Sequence, residues 1–157
     1  MQRSTLPRLR AFRPEDAPFV EKLARAAFSE YSPNAGAPTA RAAVLPNTVA
    51  IVAVLSNRPV GFAMLVVHAG VGSAFASLDA IAVEAEYRGR GLGKALLASA
   101  EDAVRKQGVL ELRLVTAQAN LAALDLFLRS GFEIARRLPR YYPRGQDAVA
   151  MRKQLAS

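Results

Sequence analysis

Between the apolar run FASLDAIAV (75–83) and the helical pattern that begins at Leu92, the chain reads EAEYRGRG, with further glycine at 93 and arginines threaded between glycines. A strand-length run that passes through a short turn into a helix cannot close a hairpin. The alternation of strand and helix argues that the next strand returns parallel to it across a helical crossover. Upstream, TVAIVAVL and VGFAMLVV are two β-rich runs separated by SNRP, a hairpin signature. Downstream come the helix GLGKALLASAEDAVRKQ, stopped by Gly108 with Arg105 and Lys106 in its last turn, and the strand VLELRLVT. A helix opened by Asn120 and stopped by Gly131 follows, then a strand from Phe132 and a last one in DAVAMRKQL. At the front, Pro14 and EDAPFVEKLARAAF predict an opening helix, with Phe19, Val20, Leu23 and Ala27 at helical spacing. SEYSPNAGAPTARAAVLPN reads as a loop with a short helix, and HAGVGS as a turn. The order α, β, β, β, α, β, α, β, β predicts a mixed α/β sheet.

A chain of 157 residues makes one domain, 1–157, with one core. No apolar run approaches the roughly 20 residues that span a bilayer, and MQRSTLPRLRAFRPED holds no continuous apolar segment, so a soluble, cytoplasmic protein without membrane partners is expected. The absence of cysteine excludes disulfides, thiolate metal sites and a cysteine nucleophile. His68, the only histidine, cannot alone build a zinc site or a Ser/His triad; no metal is expected, and His68 reads as a strand-end surface residue. The formal charge of +8 points to an anionic partner, whether phosphate groups, an acidic peptide or nucleic acid, or else to a solvated basic surface. Nucleic acid is the weaker choice, because basic and aromatic residues do not interleave. Exposed sheet edges leave a homodimer open.

A glycine-rich turn at a helix N-terminus is an anion cradle, because free backbone N–H groups and the positive helix end face the ligand. The dinucleotide fingerprint fails, since Lys94 stands where its last glycine is needed. The P-loop pattern fails too, with Ala95 after Lys94 in place of Ser or Thr. What the residues do resemble is the acyl-CoA signature (Q/R)xxGx(G/A) of the GNAT superfamily of N-acetyltransferases, as Arg88, Gly91 and Gly93. AIAVEAEYRGRGLGKALLASAEDAV and NLAALDLFLRSGF extend the resemblance over nearly the whole chain. It implies an α/β (α+β) GNAT fold: a mixed, mostly antiparallel sheet with splayed parallel central strands and helices on both faces. It further implies acetyl-CoA as acetyl donor, its pyrophosphate held by Arg88, Gly89, Arg90, Gly91, Leu92, Gly93 and Lys94. The main chain of Ile81, Ala82 and Val83 would pair with the pantetheine arm, and Asn120 and Phe127 would flank it.

The implied reaction is attack of a neutral amine on a thioester, which needs a proton acceptor, a stabilised oxyanion and a thiolate that becomes protonated. The family's common tyrosine near the sulfur, seven residues after Asn120, is here Phe127, and the glutamate that serves as base in an N-terminal acetyltransferase subgroup is Val115. Asp79, in otherwise apolar SLDAIAV, is then the candidate base, or else a carboxylate paired with RAFRPED or a nearby loop. RYYPRGQDAVAM resembles the YYxxGxDAxxM hairpin of ribosomal-protein and other protein N-terminal acetyltransferases. Tyr141 and Tyr142 would then wall a peptide site, Tyr142 as a catalytic candidate, with Tyr31 facing them; the alternative is a pair of aromatics capping the sheet edge. Arg136, Arg137 and Arg140 could receive an acidic peptide or the 3′-phosphate of CoA. A lysine amine (pKa ~10.4) is neutral far less often than an α-amine (~7.8), so a site without a strong base disfavours lysine by about 3–4 kcal/mol. The acceptor expected is therefore the N-terminal α-amine of a peptide or protein. A small amine, or acyl-CoA binding without turnover, are the alternatives.

Overall fold

The computed structural model of the protein describes residues 6–69 and 74–155, so most of the HAGVGS turn lies outside the described residues. The chain runs β1 (Arg8–Ala11), a 3-10 turn (Pro14–Asp16), α1 (Ala17–Phe28), α2 (Ala37–Ala42), β2 (Thr48–Leu55), β3 (Arg58–His68) and β4 (Phe75–Val83). A second 3-10 turn (Ala85–Tyr87) leads to α3 (Leu92–Arg105), β5 (Glu111–Ala117), α4 (Leu121–Arg129), β6 (Glu133–Leu138) and β7 (Ala148–Gln154). β1 is the one element the sequence reading did not anticipate. It pairs antiparallel with β2, and Arg10 on it clamps Asp16 through both carboxylate oxygens at 2.7 and 2.9 Å.

The sheet has seven strands in the order β1-β2-β3-β4-β5-β7-β6, antiparallel throughout except for β4 and β5. The hairpin of β2 and β3 turns on two residues, Ser56 and Asn57, both at positive φ (50° and 64°). That double left-handed turn matches the twist of the flanking strands. Helices cover both faces, as expected. On one face α3 and α4 bury Leu92, Leu96, Leu97 and Phe127 against Ala63, Leu65, Leu112 and Met151. On the other, Val20, Leu23 and Ala24 of α1 and Ala40 of α2 pack on Val52, Phe62 and Met64. Phe62 is fully buried there, and its truncation to alanine would cost about 4 kcal/mol.

Two irregularities of β4 shape the middle of the sheet. The pairing of β4 with β5 covers only Phe75 to Ser77 against Glu111 to Arg113; beyond that the strands diverge, leaving a gap in the middle of the sheet. The pairing with β3 slips between Met64, opposite Ala80, and Leu65, opposite Leu78, so Asp79 is an unopposed bulge residue. A bulge exchanges the faces of a strand. Ala76 and Leu78 accordingly join the α3 side of the core, whereas Ala80 and Ala82 join the α1 side. Among the described residues no helix is long and apolar enough to cross a membrane.

Candidate functional site

The gap between β4 and β5 opens into a single cavity of about 900 Å³ that continues across the α1 side of the sheet to the tip of the β6–β7 hairpin. Its strand end is lined by Ile81, Thr116, Ala117, Asn120 and Phe127, its far end by Asp79, Arg113, Tyr31, Tyr141 and Tyr142.

At the strand end, the Glu84 N–H bonds back to Val60 of β3. Alternation along the strand then turns the main-chain groups of Ile81 and Val83 away from β3, toward the gap. Ala82 faces β3 instead. The Arg88 Nε donates to the Val83 carbonyl at 3.0 Å and fixes the turn to the end of the strand. Gly89 and Gly91 hold φ of 77° and 80°, and nothing lies within 4 Å of where a Cβ would stand on either. The first bond of α3 runs from Ala95 N–H to the Gly91 carbonyl, and Gly91, as N-cap, has no side chain to offer. The amides of Leu92, Gly93 and Lys94 therefore face outward without a helical acceptor. The Leu92 side chain is core, only its amide belonging to the turn. Arg90 lies over the Tyr87 ring at 5.3 Å. Lys94 is exposed and without an ion pair among the described residues. Asn120 caps α4 through its side-chain oxygen, which accepts from the Ala123 N–H at 3.2 Å, and Phe127 is buried edge-on against Phe132.

At the far end, Asp79 is exposed on its bulge and accepts from the Ser77 Oγ at 2.9 Å. The alternative pairing with RAFRPED does not occur: Arg10 and the Arg13 N–H serve Asp16, and Asp79, exposed to water, needs no charge partner. The Tyr31 and Tyr142 rings meet at 4.9 Å, and Tyr141 stands edge-on to Tyr142 at 5.0 Å. These tyrosines therefore stand together against the loop after α1. Burial, then Tyr141 and Tyr31, pushes the Tyr142 phenol above the ordinary range, and burial with Glu30 does the same for Tyr31. Both stay proton donors at neutral pH. Val115 is 39% exposed in the cavity, an apolar floor where a carboxylate would otherwise stand.

Several contributors were not singled out from sequence. The Gln146 amide reaches the Glu30 carbonyl at 3.2 Å and ties the hairpin tip to the end of α1. Asp147 accepts from the Arg140 N–H and from Arg137, both at 3.0 Å, and these contacts, backbone bond first, hold its carboxyl below the usual range. Arg137 also binds Gln118 and is thus structural, while Arg136 lines the cavity. Arg113 lies 3.7 Å over the Phe75 ring with Glu111 at 3.1 Å. The spacing YYPRGQD could have flagged Asp147 as the residue closing the turn; nothing local marks Arg113.

The model of the Acetyltransferase (GNAT) family matches residues 15–132. The chain is 39% identical over 79 residues to the [Ribosomal protein bS18]-alanine N-acetyltransferase of Escherichia coli, covering 48% of this chain and 53% of that protein. It is 31% identical over 151 residues to an uncharacterized N-acetyltransferase of Methanocaldococcus jannaschii, covering 93% and 90%. The archaeal protein apart, the chain spans about half the length of the curated relatives it matches first. The crystal structure of the ribosomal-protein-S18-alanine N-acetyltransferase from Escherichia coli superposes with a TM-score of 0.78 at 24% identity, over 97% of this chain and 96% of that one.

Proposed function

The chain belongs to the GNAT acetyltransferase family, and from that premise we propose that it moves an acetyl group from acetyl-CoA directly to the N-terminal α-amine of a peptide or protein. The observation that carries the reading is the continuity of the site. One cavity joins an open strand gap to a tyrosine-walled groove, with Asp79 in its lining. The residues fit acetyl-CoA: a turn of outward amides with empty space over Gly89 and Gly91 suits a pyrophosphate, and the main chain of Ile81 with the Val83 N–H, turned to the gap where β5 has parted from β4, suits an amide-bearing arm. Bound there, acetyl-CoA supplies the activated thioester. Tyr31, Tyr141 and Tyr142 form a wall that an extended peptide can lie against, and relatives named for acetylating protein α-amines support that acceptor.

Within this reading Asp79 takes one proton from the incoming ammonium, through contact or one water. Tyr142, kept protonated by burial, donates to the charge that develops as the amine attacks. Phe127 leaves the thiolate without a phenol beside it. A thiolate is a tolerable leaving group near neutral pH, since thiols ionise around 8.5. An α-amine is the acceptor such a sparse site can use, because a sizeable minority of it is already neutral at pH 7.

The test is CoA release from acetyl-CoA against free N-terminal peptides, N-terminally blocked lysine peptides, polyamines and amino acids. Free N-termini should lead by roughly 100-fold or more at neutral pH. Turnover restricted to small amines would reject the peptide acceptor, and acetyl-CoA binding without turnover of any amine would make the domain an acyl-CoA binder.

A further inference from the structure

Asp79 has two carboxylate oxygens with different surroundings. One accepts from the Ser77 Oγ at 2.9 Å, and that hydroxyl lies 3.0 Å from the His68 Nε2. Asp79 and Ser77 line the cavity; His68, on the neighbouring strand and exposed, does not. The three side chains thus form an unbroken hydrogen-bonded line from the floor of the groove to the solvent beyond it. The line follows from strand alternation: Phe75, Ser77 and Asp79 share one face of β4, and His68, opposite Phe75 on β3, stands on the same face. The imidazole is held in place by stacking on Phe75, with ring centroids 4.6 Å apart and planes 18° from parallel. Phase by phase along the sheet, β3 gives His68, β4 gives Phe75, Ser77 and Asp79, and β5 gives Glu111 and Arg113, whose ion pair is closed on itself beside Phe75.

We propose that Ser77 and His68 carry the amine's proton from Asp79 out of the groove. The inference rests on Asp79 being the base. An acceptor lying in the groove covers the carboxylate oxygen it gives its proton to, so direct return of that proton to bulk water is blocked while substrate is in place. The other oxygen still touches Ser77. The chemistry balances in three transfers. The ammonium gives a proton to the carboxylate, leaving a neutral amine and a carboxylic acid. The protonated carboxyl turns about its Cβ–Cγ bond so that its O–H faces Ser77, and Asp79 then donates to the Ser77 oxygen while the Ser77 hydroxyl, a free rotor, donates its own proton to the Nε2 of neutral His68, which restores the carboxylate and forms an imidazolium. The imidazolium loses its proton to water. Histidine suits the outer position because it is the side chain that both takes and releases a proton near neutral pH. His68 and Ser77 are positioning and relay residues, since neither touches the reacting atoms.

The experiment compares His68→Gln, His68→Ala and Ser77→Ala with Asp79→Asn in the full chain, using a free N-terminal peptide at saturating acetyl-CoA. The His68 and Ser77 variants should lower kcat roughly tenfold in dilute buffer, less than the 100-fold expected for loss of the base itself, with KM for acetyl-CoA unchanged. Added imidazole should restore His68→Ala with saturating dependence and leave the unsubstituted protein unaffected. A role that only orients Asp79 predicts otherwise: glutamine could keep the bond to Ser77, and imidazole would restore nothing. Wild-type kcat in both His68 variants, or a loss that imidazole does not relieve, overturns the relay. If Asp79→Asn keeps full kcat, the base assignment falls and the relay with it; if Asp79→Asn collapses kcat while the His68 variants do not, the relay alone falls.

Discussion

Replacing Gly91 would cost backbone energy, not space. Its φ is 80°, and an added Cβ meets nothing within 4 Å, so alanine is opposed by the left-handed conformation alone. That strain is about 1–2 kcal/mol, and relaxing it would rotate the amides that open α3. Gly91→Ala is expected to raise KM for acetyl-CoA about tenfold, the equivalent of 1.4 kcal/mol, with little change in peptide KM; steady-state kinetics with each substrate varied would check it. At the other end, Tyr142→Phe removes one hydroxyl and keeps the ring against Tyr31. Peptide KM should stay near its starting value while kcat falls about 10- to 100-fold, the range for one proton donor; an unchanged kcat would leave the phenol as wall alone. The turn residues were legible because glycine and arginine at fixed spacing before a helix have few other uses. Asp79 was legible as a position and misread as an environment. An isolated carboxylate among apolar neighbours suggests a buried partner, but the face of β4 that carries Ser77 and Asp79 lies open to the cavity and to water, which depends on how the helices cover the sheet. His68 was read as surface, which its exposure bears out; its bond to Ser77 depends on how β3 and β4 align across residues that sequence alone does not pair.

Among the elements, the β6–β7 hairpin is held at its tip by Asp147. The carboxylate ties Arg140 and Arg137 on one side, while Gln146 ties the tip to the end of α1. Its folded pKa lies below the ordinary carboxylate value, so the sign is fixed: these contacts are fully present above the unfolded pKa and are lost as pH falls through the folded one. Hydrogen exchange at the Arg140 amide should accelerate on acidification below about pH 4, beyond the intrinsic trend, and Asp147→Asn should show that looser tip already at pH 7. The same variant should raise peptide KM while leaving acetyl-CoA KM alone, because the tyrosines ride on this hairpin and the glycine turn does not. An equal rise in both would mean the two ends of the cavity are less separate than drawn. Element types followed closely from pattern, with the 3.6-residue period of α1 and α3 and the β-rich runs of β2 and β3. β1 escaped because the alternation Arg8, Leu9, Arg10, Ala11 lasts only four residues, and it becomes a strand through its pairing with β2, beside the Arg10 to Asp16 clamp.

On the scale of the whole molecule, β1 to β4 and β5 to β6 are two antiparallel blocks joined along three residue pairs of a parallel ladder. The rest of the joint is side-chain packing: α3 sits on β2, β3 and β4, and the apolar core beneath it continues to Leu112, Leu114, Val149 and Met151 of the other block. The first block is also held at its start by Asp16: it is buried, burial alone would raise its pKa, and Arg10 with the Arg13 N–H overcomes this and leaves it low. Asp16→Asn should therefore cost about 3 kcal/mol, the lower end for breaking a buried pair, because Arg10 still reaches water. A ligand seated in the seam would add contacts to both blocks at once, to the amides at the start of α3 and to the strand edge of β4. Binding to the folded state alone stabilises by about 2.7 kcal/mol at a concentration 100 times Kd. For a domain of this size that is a rise in Tm of roughly 5–10 °C. Differential scanning fluorimetry with acetyl-CoA should show this rise in the unsubstituted protein and in Tyr142→Phe, and a smaller one in Gly91→Ala at the same concentration. An equal rise in Gly91→Ala would place the dominant contact away from the glycine turn. No rise in any of the three would remove the acyl-CoA site from the seam and, with it, the reason for β4 and β5 to part.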